Sequence, residues 1–137
     1  MVQPKLKASN AILKGKHLLI VEDDSHLAGI LARLAQRYGI RVSHAESGTK
    51  ALDAIKQELP DLILLDLGLP DMSGLAVVTR VRRDEKTRAV PILAMGGNPS
   101  RERICLRTGC NDFILKPFDI SELLERISAL LDQSGRP

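Results

Sequence analysis

The 137-residue sequence contains few aromatic residues: no Trp, one Tyr and two Phe. Proteins that bind single-stranded nucleic acid stack bases on aromatic side chains, so this function is not expected here. Apolar runs are also short, far below the ~20 residues of a membrane-spanning helix. The N-terminal residues include lysines but no apolar segment typical of a secretory signal. The sequence therefore predicts neither a membrane segment nor a secretory signal.

Cysteine is scarce as well. Cys105 and Cys110 are the two cysteines, too few for a disulfide framework, and no cluster of Cys and His accompanies them as a zinc site would require. We expect both to be small core residues. A chain without a disulfide framework or a secretory signal is expected to be cytoplasmic.

The net charge of +3 is unevenly distributed. Four lysines and no acidic residues occur in the first 16 residues: Lys5, Lys7, Lys14 and Lys16. Subtracting these four charges from +3 leaves −1 for the remainder. We expect residues 1–16 to be a basic, flexible leader, residues 17–132 to form one domain, and residues 133–137 to be a frayed tail or the start of a linker.

Short apolar runs alternate with helical patterns along the domain. Four runs are almost wholly apolar, as expected of strands buried on both faces, and the segment 40–45 alternates like an edge strand. The apolar runs are 18–21, 62–65, 92–95 and 113–115. Five strand–helix pairs in strict alternation predict an α/β, doubly wound (βα)5 sandwich of three layers. Its parallel five-stranded sheet would have the strand order 2-1-3-4-5.

Charged residues follow three of the predicted strands. Glu22 and Asp23 come after the first strand, Asp66 ends the third, and Lys116 follows the last. The carboxyl ends of parallel strands form the ligand-binding edge of an open sheet, so these groups should lie together. Carboxylates suit Mg²⁺, and the Gly68 carbonyl is well placed to complete its ligands. The pattern indicates a metal-assisted phosphoryl site in which Asp66 is the nucleophile.

Two other interpretations of these acidic residues stay open from the residues alone. Asp24 is better explained as a cap or supporting group for a helix that begins near Ser25 than as a metal ligand. A hydrolase with paired carboxylates is a rival, but the three histidines of the chain are poorly placed for a general base there. These are His17, His26 and His44.

Three separated motifs resemble the receiver domain of two-component response regulators, a flavodoxin-like family that includes the chemotaxis regulators. They are Leu18–Asp24 (LLIVEDD), Leu64–Gly74 (LLDLGLPDMSG) and Phe113–Phe118 (FILKPF). The resemblance implies that Asp66 is the phosphoacceptor, that Glu22 and Asp23 bind Mg²⁺ (or Mn²⁺), and that Lys116 contacts the phosphoryl group. It also implies that the donor is a phosphohistidine on a sensor histidine kinase or a phosphotransfer protein.

The sequence departs from the family at the end of the fourth strand, where Ser or Thr is usual. Gly96 stands at this switch position and Gly97 follows it, while Phe113 fills the aromatic switch position. The acceptor chemistry is therefore complete by resemblance, but the hydroxyl that couples it to a conformational change is missing. Two functions follow: a phosphorylated switch in a phosphorelay, or a pseudo-receiver that binds partners without phosphorylation-dependent switching.

Neither alternative is an enzyme that acts on a separate substrate. The family resemblance implies a downstream effector or a homodimer partner at the face formed by the fourth helix, fifth strand and fifth helix. Basic residues of the third and fourth helices predict a basic side, either solvated or a docking face for an acidic partner. They are Arg80, Arg82, Arg83, Lys86, Arg88, Arg101, Arg103 and Arg107. Direct DNA binding is not expected, since no helix-turn-helix follows residue 132.

Overall fold

The computed structural model describes residues 11–134 and contains one parallel sheet with helices on both faces. The strands are β1 His17–Val21, β2 Arg41–Ala45, β3 Leu62–Asp66, β4 Ile92–Gly96 and β5 Asp112–Leu115. The helices are α1 Ser25–Gln36, α2 Gly48–Gln57, α3 Gly74–Arg83, α4 Glu102–Thr108 and α5 Ile120–Ser134, with a 3-10 turn at Pro99–Arg101 before α4. The sheet order is β2-β1-β3-β4-β5 and every pair is parallel. The predicted fold class is confirmed.

Two apolar cores lie on opposite faces of the sheet. Alternate residues of each central strand point to one core or the other, as in Leu18 and Leu19 of β1. One core packs against α1 and α5, and the other against α2, α3 and α4. Cys105 and Cys110 are both buried in the second core, which confirms them as small core residues. No helix among residues 11–134 is long and apolar enough to cross a membrane.

The first turn of α1 is capped by a carboxylate. The Asp24 side chain accepts hydrogen bonds from the backbone N–H groups of His26 and Leu27, at 3.0 and 3.1 Å. Asp24 is thus the cap, one of the two roles expected for it, whereas Ser25, which could also be a cap by residue type, is already the first helical residue. An N-cap side chain satisfies backbone donors that have no partner inside the helix. With this cap, α1 begins after only three residues that follow the end of β1.

Part of the expected leader is packed on the domain. Residues 11–13 are helical, and Leu13 is completely buried in the core beneath α1 and α5. The backbone N–H of Gly15 donates to the Gly39 carbonyl at 2.8 Å, and that of Arg41 donates to the Lys16 carbonyl at 2.8 Å. Apolar burial and backbone pairing therefore hold residues 11–16 against the loop before β2. Residues 1–10 and 135–137 of the expected leader and tail lie outside the described residues.

Arg82 does not belong to an outer basic side. Its guanidinium donates to the carbonyls of Gly109 (2.9 Å), Val90 (2.7 Å) and Arg88 (3.0 Å) and to the side-chain oxygen of Asn111 (2.9 Å). Burial lowers the pKa of Arg82 from its usual value. The side chain ties the end of α3 to the segments before β4 and β5, because these loops present carbonyls that no helix or strand satisfies.

Candidate functional site

Three carboxylates meet at the carboxyl edge of the sheet. Val21 of β1 pairs with Leu65 of β3 in the parallel register. The next residue along each strand, Glu22 and Asp66 respectively, therefore lies beside the other. Oxygen atoms of Glu22, Asp23 and Asp66 all lie within 4.8 Å of one another. Glu22 and Asp66 are buried, at 1% and 7% exposure, whereas Asp23 faces solvent. The predicted convergence of these side chains is present in the structure.

A single lysine offsets this negative charge. The Lys116 ammonium lies 3.0 Å from Glu22 Oε1 and 3.6 Å from Asp66 Oδ1, at the end of β5 and before a cis peptide bond to Pro117. Burial raises the pKa of Glu22; the N–H of Asp24 and the hydrogen bond from Lys116 act in the opposite direction, and the charge of Asp66 adds to the rise. A cluster of three acids with one cation leaves excess negative charge that a divalent ion would neutralise.

These residues fit a magnesium ion by their chemistry. Mg²⁺ prefers hard oxygen ligands and usually takes one or two carboxylates together with water. Glu22, Asp23 and Asp66 supply such oxygens without a competing thiol or imidazole in the cluster. The backbone N–H of Gly68 donates to Asp66 Oδ1 at 3.1 Å, which fixes the carboxylate within its own turn. The Gly68 carbonyl stays a prediction as a ligand.

The loop after β3 is held tightly against the sheet and against α2. A Cβ atom on Gly74 would lie 2.7 Å from Leu67 Cα and 2.8 Å from the Asp66 carbonyl oxygen, so only glycine permits this approach. The Asp71 carboxylate accepts hydrogen bonds from the backbone of Gly48 (2.9 Å) and from Thr49 N–H (3.0 Å) and hydroxyl (2.7 Å). These bonds, the Thr49 hydroxyl foremost, lower the pKa of Asp71 to about 2. Nothing in the spacing of Asp71 and Thr49 along the sequence predicts this tether.

An open pocket lies beside Asp66. Besides Asp66 and its loop, the lining residues are Gly96, Gly97, Asn98, Arg101 and Lys116. The position of a Cβ on Gly96 is 3.4 Å from Cε1 of the Phe113 ring, and a Cβ on Gly97 would meet nothing within 4 Å. The two predicted switch positions, Gly96 and Phe113, are thus neighbours, and a side chain at position 96 would touch the Phe113 ring.

The hydroxyl nearest in sequence does not replace the missing one. Ser100 donates from Oγ to Asn98 Oδ1 at 2.8 Å, within its own turn. Arg101 does line the pocket, although the sequence analysis assigned it to an outer basic side. Its position follows from the 3-10 turn Pro99–Arg101, which the sequence did not show.

The three histidines lie outside the set of residues that line the pocket beside Asp66. His44 Nε2 donates to the backbone carbonyl of Glu22 at 2.7 Å, and His17 is buried at the other end of β1, 2.7 Å from the Ser43 hydroxyl. None of the residues lining the pocket beside Asp66 is a histidine. This arrangement does not supply the general base that a carboxylate hydrolase would need at this edge.

The family model described as the response regulator receiver domain matches residues 18–128 of the chain. The chain belongs to this family. YkoG, an uncharacterized transcriptional regulatory protein of Bacillus subtilis, is 39% identical over 119 residues, which cover 87% of this chain and 52% of YkoG. PhoB, the phosphate regulon transcriptional regulatory protein of Pseudomonas aeruginosa, is 36% identical over 123 residues, or 88% of this chain and 54% of PhoB.

A solved structure is similar over almost its entire length. A protein of Chloroflexus aurantiacus assigned as a response regulator superimposes with a TM-score of 0.83 at 36% identity, covering 87% of this receiver domain and 99% of that chain. The receiver domain spans about half the length of the curated transcriptional regulators it matches. Receiver domains are signalling domains of two-component systems.

Proposed function

We propose that this receiver domain accepts a phosphoryl group on Asp66 in a Mg²⁺-dependent reaction and thereby changes its binding of partners. The observation that carries the proposal is the grouping of Glu22, Asp23 and Asp66 within 4.8 Å, with the Lys116 ammonium 3.6 Å from Asp66. A nucleophilic carboxylate, metal-binding acids and a phosphoryl-binding cation are the groups that phosphoryl transfer to an acid requires. They come from three strands that the fold aligns at one edge.

In the proposed step, an Asp66 oxygen attacks the phosphorus atom and forms an acyl phosphate. The P–N bond of a donor phosphohistidine breaks at the same time, and the imidazole leaves with the electron pair. Glu22 and Asp23 would hold Mg²⁺ together with Asp66, and the bound ion would neutralise charge on the transferred group. Lys116 contacts a phosphoryl oxygen as a point charge, which it can do because its ammonium already lies between Glu22 and Asp66.

The donor we propose is a sensor histidine kinase or a phosphotransfer protein. The downstream effector, or a second copy of the chain, would bind the face made by α4, β5 and α5. Three of the four large exposed apolar side chains of the described residues lie on α4 and β5: Ile104 (49% exposed), Leu106 (42%) and Leu115 (43%). Exposed apolar side chains on adjacent elements are common at protein interfaces.

Acetyl phosphate provides a direct test, since its transfer to Asp66 releases acetate and needs no kinase. The purified protein is incubated with acetyl phosphate and Mg²⁺, and its intact mass is measured. We expect a gain of one phosphoryl group that disappears with EDTA and in Asp66→Asn. Asp53→Asn is the matched control, because Asp53 is exposed on α2 and does not belong to the site. This variant should still gain one phosphoryl group.

Two results would contradict the proposal. The first is an unchanged mass of the wild type under these conditions, which would instead favour a pseudo-receiver that binds partners without phosphorylation. The second is an equal gain in Asp66→Asn and in the wild type, which would place the phosphoryl group on another residue.

A further inference from the structure

We infer that Arg101 is a phosphoryl-binding residue that draws the 3-10 turn before α4 toward phosphorylated Asp66. In this role it replaces the side-chain hydroxyl that is missing at position 96. The inference rests on the proposed function, because it assigns a second cation to the same site. Its basis is the pocket beside Asp66, to which Arg101 and Lys116 contribute the positively charged side chains.

The two cations differ in how far they are already engaged. Lys116 lies 3.0 Å from Glu22 and 3.6 Å from Asp66, and it is needed to offset their charge. Arg101 is half-buried, and its guanidinium forms no hydrogen bond or ion pair with any residue in the part of the chain that the structure describes. By contrast, Arg82 and Arg126 are fully engaged with carbonyls and carboxylates. Arg101 is therefore available to a ligand in the pocket.

Phosphorylation would change the charge of this pocket. A phosphoryl group carries about −1.5 to −2 charges at pH 7, whereas the Asp66 carboxylate that becomes the acyl phosphate carries one. The negative charge both grows and moves outward from the buried carboxylate. A guanidinium matches phosphoryl oxygens with two parallel N–H donors, so Arg101 offers a stronger contact than a neutral hydroxyl.

The glycines provide the space for this contact. Gly96 and Gly97 line the pocket without side chains, and a Cβ on Gly97 would meet nothing within 4 Å. Arg101 ends the 3-10 turn Pro99–Arg101, and α4 begins at the next residue. A pull on Arg101 is therefore a pull on the start of α4, which carries the exposed Ile104 and Leu106 of the proposed binding face.

Beryllium fluoride with Mg²⁺ mimics a phosphoryl group on a carboxylate and allows a test at equilibrium. Its affinity is measured by calorimetry for the wild type, Arg101→Gln, Arg101→Lys and Arg103→Gln. Arg103 is the matched control, being exposed on α4 and not part of the pocket. We expect Arg101→Gln to weaken binding about tenfold, the loss of one charge-assisted hydrogen bond, and Arg101→Lys to recover part of it. Arg103→Gln should bind like the wild type.

Hydrogen exchange shows whether the contact also moves α4. On addition of beryllium fluoride, residues 97–108 should gain protection in the wild type and in Arg103→Gln but not in Arg101→Gln. Thermal unfolding should be nearly the same for the Arg101 and Arg103 variants, since the Arg101 guanidinium forms no hydrogen bond or ion pair within the described residues of the unliganded fold. A Gly96→Thr change restores a hydroxyl and should make Arg101→Gln less harmful when the two are combined.

The outcomes separate the two proposals. If the wild type itself does not bind beryllium fluoride with Mg²⁺, the proposed phosphorylation of Asp66 is wrong and the role of Arg101 is wrong with it. If the wild type binds and Arg101→Gln matches Arg103→Gln in affinity and protection, only the role of Arg101 is wrong. Reduced affinity with unchanged protection of residues 97–108 would refute the pull on α4.

Discussion

Replacing Arg82 with methionine removes four hydrogen bonds that join the end of α3 to two loops, those before β4 and β5. Two of these bonds, to the carbonyls of Gly109 and Val90, are partly buried, and the other two face solvent. A hydrogen bond to a charged group contributes about 1.5 kcal/mol, whereas an exposed one contributes little. We therefore expect the free energy of unfolding to fall by about 2–3 kcal/mol. For a domain of this size the melting temperature should drop by about 10 °C.

Urea unfolding followed by circular dichroism measures this loss. Arg83→Met is the matched control, because Arg83 is the adjacent residue of α3 and is exposed, so its replacement should stay within about 0.5 kcal/mol of the wild type. Arg82→Lys should be nearly as damaging as Arg82→Met, since one ammonium cannot reach acceptors spread around the edge of the planar guanidinium. Equal stability of Arg82→Met and Arg83→Met would refute the assignment of Arg82 as a structural clamp.

Three further predictions test the surroundings of the site. Gly74→Ala should lower the free energy of unfolding by about 3 kcal/mol, because the new Cβ meets the backbone of Leu67 at 2.7 Å. Gly96→Ala should change the free energy of unfolding by about 1 kcal/mol or less. Urea unfolding of the two variants measures the difference. Asp71 has a folded pKa of about 2 against about 3.9 in an unfolded chain, so its contribution is present above pH 4 and is lost as the pH falls toward 2. Asp71→Asn should accordingly flatten the acid side of the stability profile, and a profile as steep as that of the wild type would contradict this. Lys116→Met should slow phosphorylation by acetyl phosphate about 100-fold in a mass-spectrometric time course, and an unchanged rate would exclude a contact with the phosphoryl group.

The sheet and its order could be predicted because the strands are so uniformly apolar. Runs such as 18–21 and 62–65 suit strands buried on both faces, and strict alternation with helices leaves few topologies. The exact buried stripe of α1 was harder to predict. The large apolar residues at helical spacing are Leu27, Ile30, Leu31 and Leu34, but the most buried residues are Ala28, Leu31 and Ala35. Small side chains occupy the line where the helix approaches the sheet most closely, and a count of large apolar residues overlooks them.

The site could be predicted only where its residues follow strands. Asp66 and Lys116 end or follow apolar runs, and parallel strands bring such positions to one edge. Arg82 and Arg101 look alike in the sequence, as two arginines among many. One points at carbonyls supplied by residues 88–111, and the other lines the pocket because a 3-10 turn precedes α4. The position of Arg82 depends on tertiary contacts, and that of Arg101 on an irregular turn; the periodicity of the sequence encodes neither.

A cation and a hydroxyl would couple the site to α4 by different physics, and salt distinguishes them. The contact between Arg101 and a phosphoryl group joins opposite charges in an open pocket and is partly screened by salt, with a Debye length of about 10 Å at 0.1 M salt and about 3 Å at 1 M. A hydroxyl at position 96 acts only within hydrogen-bond distance. At saturating beryllium fluoride, the protection of residues 97–108 should therefore decline in the wild type between about 0.05 M and about 0.5 M NaCl. It should stay constant in the Gly96→Thr, Arg101→Gln double variant, and an equal response of the two proteins would mean that charge does not carry the coupling.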